Sequence, residues 1–307
     1  MRRVIVALTV LTFASPAVAA DADILRGSDV FVPPVPTIAI APPAYAVRPA
    51  AARYHWGGVY GGVQAGYSSS VINFSLAAGP QVAYILRETA IEQDHQIQTW
   101  NVLGSEPTGN VGAGGFIGYN SEWEDVILGF EMNYNHVALS ASSSGSLTRS
   151  FTDSTNLPTG HSYLYNLTVN SQSALAMTDI ATFRARAGWE AGNFLPYGFA
   201  GVAVGRANVS TTTSVPYTAV DYPLPQVPPL TPLPTLNCVP ASVCGDGPFT
   251  SGQNGAFAYG VATGIGLDAA LTPNLFVRGE IEYIYFAPLS GIQVSVASAR
   301  VGVGVKF

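Results

Sequence analysis

Histidines are the residues of this chain best suited to acid–base or nucleophilic chemistry, and they are widely separated: His55, His95, His136 and His161. A serine hydrolase needs a histidine within reach of a serine hydroxyl. His136 with Ser140 is the only candidate pair near the rim of a predicted strand. The alternation around His136 places it on an apolar face, and serines are common in the loop that follows. We therefore predict no enzymatic activity and no catalytic residue.

His95 and His161 suggest a different chemistry, because imidazole and phenol groups can ligate haem iron. They lie in long polar stretches that also contain Tyr84, Tyr163 and Tyr165. Ordinary polar loop residues would give the same composition, and no defined spacing joins these groups. We predict no cofactor and no metal site, and we keep His95 and His161 as candidates for hemin binding.

Charged residues alternate with apolar ones in the segment LFVRGEIEYIYF, where Arg278, Glu280 and Glu282 share one parity. The same alternation occurs in VILGFEMNYN, TFRARAGW and SARVGVGVKF. A period of two places alternate side chains on opposite faces of a strand. The charged face of the predicted sheet then carries Glu131, Arg184, Arg186, Arg278, Glu280, Glu282 and Arg300.

Eight glycine-rich segments with this alternation carry the charged residues. Very short connections, such as SEWED, EAGNF and TPN, alternate with long polar ones. Short turns at one end and long loops at the other are typical of bacterial outer-membrane barrels. We predict an all-β fold: an eight-stranded antiparallel up-and-down transmembrane β-barrel with short periplasmic turns and long extracellular loops. The predicted strands are 58–68, 111–120, 126–140, 175–189, 195–210, 255–271, 275–287 and 295–307.

A water-soluble eight-stranded barrel has the same periodicity, so the distribution of aromatic residues has to distinguish the two. Aromatic rings flanking an apolar band are selected by a bilayer, because amphipathic rings sit well at the headgroup level. The chain is also poor in charge, with 10% charged and 48% hydrophobic residues. The predicted aromatic girdles are Tyr67, Tyr134, Tyr259, Tyr283 and Tyr285 at the outer rim, and Tyr119, Trp189, Tyr197 and Phe307 at the inner rim.

The charged face is predicted to be the lumen, because an arginine or lysine facing lipid at mid-bilayer costs about 2–4 kcal/mol. An eight-stranded barrel is only wide enough for its own side chains to fill it. We therefore predict that the charges pair across the lumen and plug it. An ion path lined by the same residues is the alternative.

The amino-terminal region has two parts of different composition. Residues 1–20 have the features of a signal peptide, in which Arg2 and Arg3 precede an apolar run and a small-residue cleavage site. Residues 21–55 are rich in proline and alanine and predict an extended periplasmic linker. The barrel is then residues 56–307.

Charge and cysteine content restrict the partners and the compartment. Without Arg2 and Arg3, 11 of the 13 basic residues remain against 19 acidic ones, a formal charge of −8. This charge argues against nucleic acid as a partner. In an exported chain, Cys238 and Cys244 are predicted to form a disulfide.

The ending SARVGVGVKF resembles the carboxy-terminal signal of outer-membrane barrels, in Arg300, Gly302, Val305 and Phe307. That resemblance implies the barrel-assembly machinery as a partner. Five consecutive blocks resemble the small outer-membrane surface antigens of alphaproteobacteria, a branch of the OmpA-like transmembrane barrel group: WGGVYGGVQAGYS, GAGGFIGYN, VILGFEMNYN, TFRARAGWEAGNFLPYGFAGVAVGRA and VRGEIEYIYF. The resemblance implies abundant envelope proteins and immunogens, some of them hemin-binding.

These patterns together predict an integral outer-membrane protein of a Gram-negative cell, with a plugged lumen and a structural or surface-interaction role. Its predicted partners are outer-membrane lipid, lipopolysaccharide, the assembly machinery and surface ligands. A narrow porin-like channel and a hemin-binding surface receptor are the alternatives.

Overall fold

The computed structural model describes residues 54–87, 89–154, 162–221, 236–237 and 248–307. The predicted signal peptide 1–20 and the linker up to residue 53 lie outside the described residues. His161, Cys238 and Cys244 also lie outside them, so the predicted disulfide stays a prediction.

Ten strands are present in the described part of the chain, and eight of them close into a ring. Each of the eight pairs antiparallel with its neighbours, and β10 pairs with β1 to close the ring. The predicted all-β, eight-stranded, antiparallel up-and-down barrel is confirmed. The ring strands are β1 (Gly58–Asn73), β2 (Ser105–Trp123), β3 (Val126–Asp153), β4 (Tyr163–Trp189), β5 (Phe194–Ser214), β8 (Phe249–Ala270), β9 (Leu275–Phe286) and β10 (Gln293–Lys306).

Two short strands lie outside the ring, in the extracellular connection between β5 and β8. Strand β6 (Tyr217–Asp221) pairs with the outer end of β4, and β7 (Leu236–Asn237) pairs with β6. They extend the sheet beyond the membrane on one side of the barrel.

Strands β3 and β4 extend well past their predicted outer ends at residues 140 and 175. Their ladder continues through Ser143↔Ser173 and Thr148↔Thr168 to Asp153↔Tyr163. The boundaries predicted from sequence were too short because apolar alternation ends where the bilayer ends, whereas backbone pairing continues into solvent. Hydroxyl side chains then replace the apolar ones on the outward face.

The connection between β1 and β2 contains helices that the sequence analysis did not predict: α1 (Gly79–Ile85), α2 (Ala90–His95) and a 3₁₀ turn at Ile97–Thr99. Pro80 lies in the first turn of α1, and the Thr89 side chain caps α2 by accepting from the Glu92 amide at 3.4 Å. Both residues favour helix starts because the amides of a first turn lack helical partners. Among the described residues, helices are too short and too polar for a membrane crossing.

The outward face of the barrel carries the predicted aromatic rings, with one exception. Tyr67, Tyr119, Tyr134, Trp189, Tyr259, Tyr283, Tyr285 and Phe307 are all exposed. The prediction for Tyr197 was wrong: its ring is 4% exposed and faces the interior. Tyr197 shares its parity with buried Leu195 and Phe199, so the strand alternation itself turns it inward.

Candidate functional site

The barrel interior contains a layer of charged side chains, which we call the ionic layer. All seven residues predicted for a lumen network point inward and lie together, and none is more than 5% exposed. An eighth, Asp268, is 1% exposed and belongs to the same layer. The ionic layer consists of Glu131, Arg184, Arg186, Asp268, Arg278, Glu280, Glu282 and Arg300.

Arg184 occupies the middle of one half of the ionic layer. Its Nη2 lies 2.5 Å from Glu131 Oε1 and 2.6 Å from Glu280 Oε2, and its Nη1 lies 3.2 Å from Glu282 Oε1. Arg300 Nη2 contacts the same two acids of β9, at 2.7 Å from Glu280 and 2.6 Å from Glu282. Charges from β3, β4, β9 and β10 are therefore joined across the barrel.

Asp268 organises the other half of the ionic layer. Its two carboxylate oxygens accept from Arg278 Nε and Arg186 Nη2, both at 2.8 Å. Arg278 Nη1 also donates to Glu131 Oε2 at 2.7 Å, which joins the two halves. The four arginines of the layer thus face four carboxylates.

Asp268 is the one member of the ionic layer that was not predicted from the sequence, although its strand contains an indication of it. Asp268 shares the parity of Gly264 and Gly266, opposite to that of the larger Ile265 and Leu267 of the same strand. A single acid in an alanine- and glycine-rich strand shows no alternation of charge, so this alternation of small and large residues is the indication that the sequence offers.

Aromatic rings pack against the guanidinium groups of the ionic layer. Arg186 lies 3.8 Å from the centroid of Tyr197, Arg184 4.0 Å from Phe199, and Arg278 4.1 Å from Phe116. At such distances, the negative ring face attracts the cation. The Phe199 ring fits here only because residue 264 is glycine, since a Cβ at this position would overlap the ring.

The periplasmic end of the interior is an aromatic cluster, which we call the aromatic floor. The Trp56 indole donates to Gly192 O at 3.4 Å, and the Gly57 amide donates to Glu122 Oε2 at 3.0 Å. These bonds hold residues 54–57 inside the inner mouth, where Tyr54 stacks edge-on against Trp56. The aromatic floor consists of Tyr54, Trp56, Tyr60, Phe116, Tyr197, Phe199 and Phe276.

An apolar layer lies on the extracellular side of the ionic layer. Phe74 and Ala77, from the start of the β1–β2 connection, enter the interior and pack there. Above them, Gln81 of α1 donates to Thr211 O at 2.7 Å and to Ser251 Oγ at 2.8 Å. The apolar layer includes Ile72, Phe74, Val137, Leu139, Leu175, Met177, Ile180, Ile284, Phe286, Val294 and Val296.

Comparison with known families identifies the class of barrel. The profile of the family described as outer membrane protein beta-barrel domain matches residues 37–307. This chain belongs to that family. It is therefore an integral outer-membrane barrel protein, and its apolar, aromatic-flanked outward face is the surface that contacts lipid.

Solved structures of other small barrels are similar at low sequence identity. Ail, the attachment invasion locus protein of Yersinia pestis, is 13% identical, with 81% of this chain and 99% of that chain covered and a TM-score of 0.32. Neisserial surface protein A is 15% identical, with 81% of this chain and 97% of that chain covered and a TM-score of 0.33. The amino-terminal barrel domain of Pseudomonas aeruginosa OprF is 14% identical, with 82% of this chain and 99% of that chain covered and a TM-score of 0.30. No curated protein matches the chain.

Of the two predicted hemin candidates, His95 lies in the part of the chain that the structure describes. His95 Nε2 lies 3.4 Å from Asp153 Oδ2, and the His95 ring lies 4.0 Å from the Phe151 ring. Tyr84 packs on Phe249 instead. Within the described ranges, no three His, Cys, Asp or Glu residues converge as a metal site would require.

His136 faces outward, as its parity predicts, and its partner is an acid on the neighbouring strand. His136 Nδ1 lies 2.9 Å from Asp179 Oδ1. The partner of His136 is thus Asp179, which the sequence pattern did not predict, and not Ser140.

The four residues of the predicted assembly signal lie on β10 and at its end. Arg300 belongs to the ionic layer, whereas Val305 and Phe307 are exposed on the lipid-facing side, Phe307 at 81%. Gly302 lies against Gln64 of β1, where the ring closes. Recognition of these residues by the assembly machinery stays a prediction.

Proposed function

We propose that this protein is a closed outer-membrane barrel that serves envelope integrity and surface interaction and does not conduct ions. The observation that carries the proposal is the ionic layer, in which eight charged side chains from β3, β4, β8, β9 and β10 neutralise one another at no more than 5% exposure. The aromatic floor and the apolar layer lie on either side of it.

The energetics of this arrangement favour a closed interior. A hydrated ion could pass only if guanidinium and carboxylate groups separated, and breaking one partner from a buried pair costs about 3–5 kcal/mol. It would then meet the apolar layer, whose packed hydrocarbon side chains replace the water that a charge needs. The layered interior therefore opposes conduction at three successive depths.

A surface-interaction role is supported by the part of the barrel outside the membrane. The outer ends of β3, β4, β5 and β8 form a sheet with outward-facing hydroxyls, among them Thr148 paired with Thr168 at 2.9 Å and Thr212 with Thr250 at 3.0 Å. The resemblance of its sequence blocks to the surface antigens of the OmpA-like barrel group supports the same proposal. Lipopolysaccharide and surface ligands are its proposed partners, and the carboxy-terminal strand is proposed to direct its assembly.

Planar-bilayer recording tests the closed interior. The refolded full chain is expected to give no steady conductance steps. The reason is that each depth of the interior is occupied by packed side chains. A general porin, recorded in parallel in the same kind of bilayer, should give such steps.

Reproducible unitary conductance would overturn this proposal in favour of a narrow channel. If the ions pass through the lumen, Arg278→Ala or Glu280→Ala should change this conductance. The matched control is Arg149→Ala, because Arg149 is exposed on the outer part of β3 and stacks on Trp100. A conductance altered equally by all three variants would not arise from the ionic layer.

A further inference from the structure

The lipid-facing surfaces of β3, β4 and β5 are apolar from the periplasmic rim up to the same height on all three strands. Beyond that level, each of the three strands presents a charged or ionisable side chain: His136 on β3, Asp179 on β4 and Arg206 on β5. The apolar residues below them are Val126, Leu128, Phe130, Met132 and Tyr134 on β3; Trp189, Ala187, Ala185, Phe183 and Ala181 on β4; and Phe194, Pro196, Gly198, Ala200, Val202 and Val204 on β5.

These three side chains form one continuous row, which we call the outer charged row. His136 is directly opposite Asp179 in the β3–β4 ladder, and Asp179 is directly opposite Arg206 in the β4–β5 ladder. A register shift between Met177 and Asp179 inserts Thr178 at this level of β4. The inserted residue changes the parity of the strand, so that Asp179 faces outward while Met177 faces inward.

The height of the outer charged row coincides with the headgroups of the outer leaflet. At ~3.3 Å per residue and ~40° of tilt, the stretch 179–189 rises about 25 Å along the barrel axis, which is the height of the apolar band of such barrels. Trp189 marks the inner rim of that band. Asp179 and its neighbours therefore lie where hydrocarbon gives way to polar headgroups.

Within the outer charged row, Asp179 is fully engaged by the protein and Arg206 is not. The Asp179 carboxylate accepts from Tyr134 Oη at 2.6 Å and from Thr178 Oγ1 at 2.7 Å, and it pairs with His136 Nδ1 at 2.9 Å. The His136 side chain is 65% exposed. Arg206 is exposed, and no described carboxylate lies within 4.0 Å of it.

The row lies on one side of the barrel only. In the described parts of β1, β2, β8, β9 and β10, the positions on the lipid-facing parity carry no Arg, Lys, His, Asp or Glu. A general need for charge at the outer rim would distribute such residues around the ring. Their restriction to three adjacent strands makes this part of the outer rim chemically different from the rest.

We propose that the outer charged row binds the phosphate of a phosphorylated lipid in the outer leaflet, with Arg206 as the principal contact. Phosphate is the anion found at this depth in a bilayer, and a guanidinium suits its geometry. Phe130 and Phe183, stacked at 6.2 Å deeper in the apolar band, offer a flat surface for the acyl chains. The inference depends on the outer-membrane location and is independent of whether the lumen conducts.

Native mass spectrometry of the full chain in detergent tests this site with bisphosphorylated lipid A as the probe and its dephosphorylated form as the reference. The wild type is expected to retain the phosphorylated form preferentially. Arg206→Gln should weaken that preference about fivefold, the effect of one basic residue near an anionic surface, and Arg206→Lys should restore most of it. Arg149→Gln, an exposed arginine farther out on β3, should leave it unchanged.

Each other outcome overturns a defined part of the proposal. An unchanged preference in Arg206→Gln that folds, as judged by its altered gel migration before boiling, excludes Arg206 as the phosphate contact. The preference for the phosphorylated lipid could instead depend on divalent cation and be lost in Asp179→Asn but not in Arg206→Gln. That result would assign the site to a carboxylate–cation bridge. Displacement of lipid A by millimolar inorganic phosphate would show a free-phosphate site with no contribution from the acyl chains.

Discussion

Replacing Arg184 with leucine is expected to lower the free energy of unfolding by about 3–5 kcal/mol, the cost of removing one partner from a buried ionic cluster. Arg184 contacts three carboxylates, and its side chain is 1% exposed. Leucine would leave Glu131, Glu280 and Glu282 with excess negative charge in the barrel interior. Reversible urea unfolding in phospholipid vesicles, followed by tryptophan fluorescence, measures the change.

Two further variants separate the charge effect from loss of packing. Arg149→Leu removes an exposed arginine that contacts the Trp100 ring at 4.7 Å, and it should cost no more than about 1 kcal/mol. Arg184→Leu combined with Glu280→Leu should cost less than the sum of the single variants, because fewer charges stay unpaired and neighbouring sites are not additive. A loss below 1 kcal/mol for Arg184→Leu alone would contradict the account of the ionic layer.

Placing a charge on the opposite face is expected to have a comparable effect for a different reason. Phe183 is adjacent to Arg184 on β4, is 53% exposed, and lies within the apolar band. Phe183→Arg should lower the free energy of unfolding by about 2–4 kcal/mol, because the new guanidinium faces hydrocarbon. The same unfolding measurement in vesicles determines it.

Matched controls for this prediction are available on the same surface. Phe183→Leu removes the stacking on Phe130 without adding charge, so the difference between the two variants isolates the cost of the charge. Ser144→Arg adds the same charge to an exposed position on the outer extension of β3, where we expect almost no effect. Equal losses for Phe183→Arg and Ser144→Arg would mean that lipid does not surround Phe183.

The charged residues of strands β3, β4, β9 and β10 could be placed from the sequence because charge at mid-bilayer is costly on one face only. That single constraint assigned Glu131, Arg184, Arg278 and Arg300 to the interior without any knowledge of their partners. This constraint could not predict which arginine contacts which carboxylate. Strand alternation determines the face on which a side chain lies, but it does not determine the register between strands.

Other features of the interior leave weaker traces in the sequence. Asp268 stands alone in its strand, and Tyr197 resembles a girdle residue in every respect except parity. The apolar layer was not predicted from the sequence, although Phe74, Phe286 and Ile284 are as buried as the core of a soluble protein. Packing by the β1–β2 connection makes this possible, and contacts between a loop and distant strands have no local periodicity.

The orientation of the sheet is the claim on which the remaining account depends, and a nitroxide scan of β4 tests it most directly. In a chain with Cys238 and Cys244 replaced by serine, single labels would be placed at Ala181, Phe183, Ala185 and Ala187 and measured in vesicles. The account predicts high accessibility to oxygen and low accessibility to a water-soluble nickel chelate at all four, with the largest contrast at the middle pair. Nickel accessibility at residues 183 and 185 as high as at a label on Ser144 would contradict it.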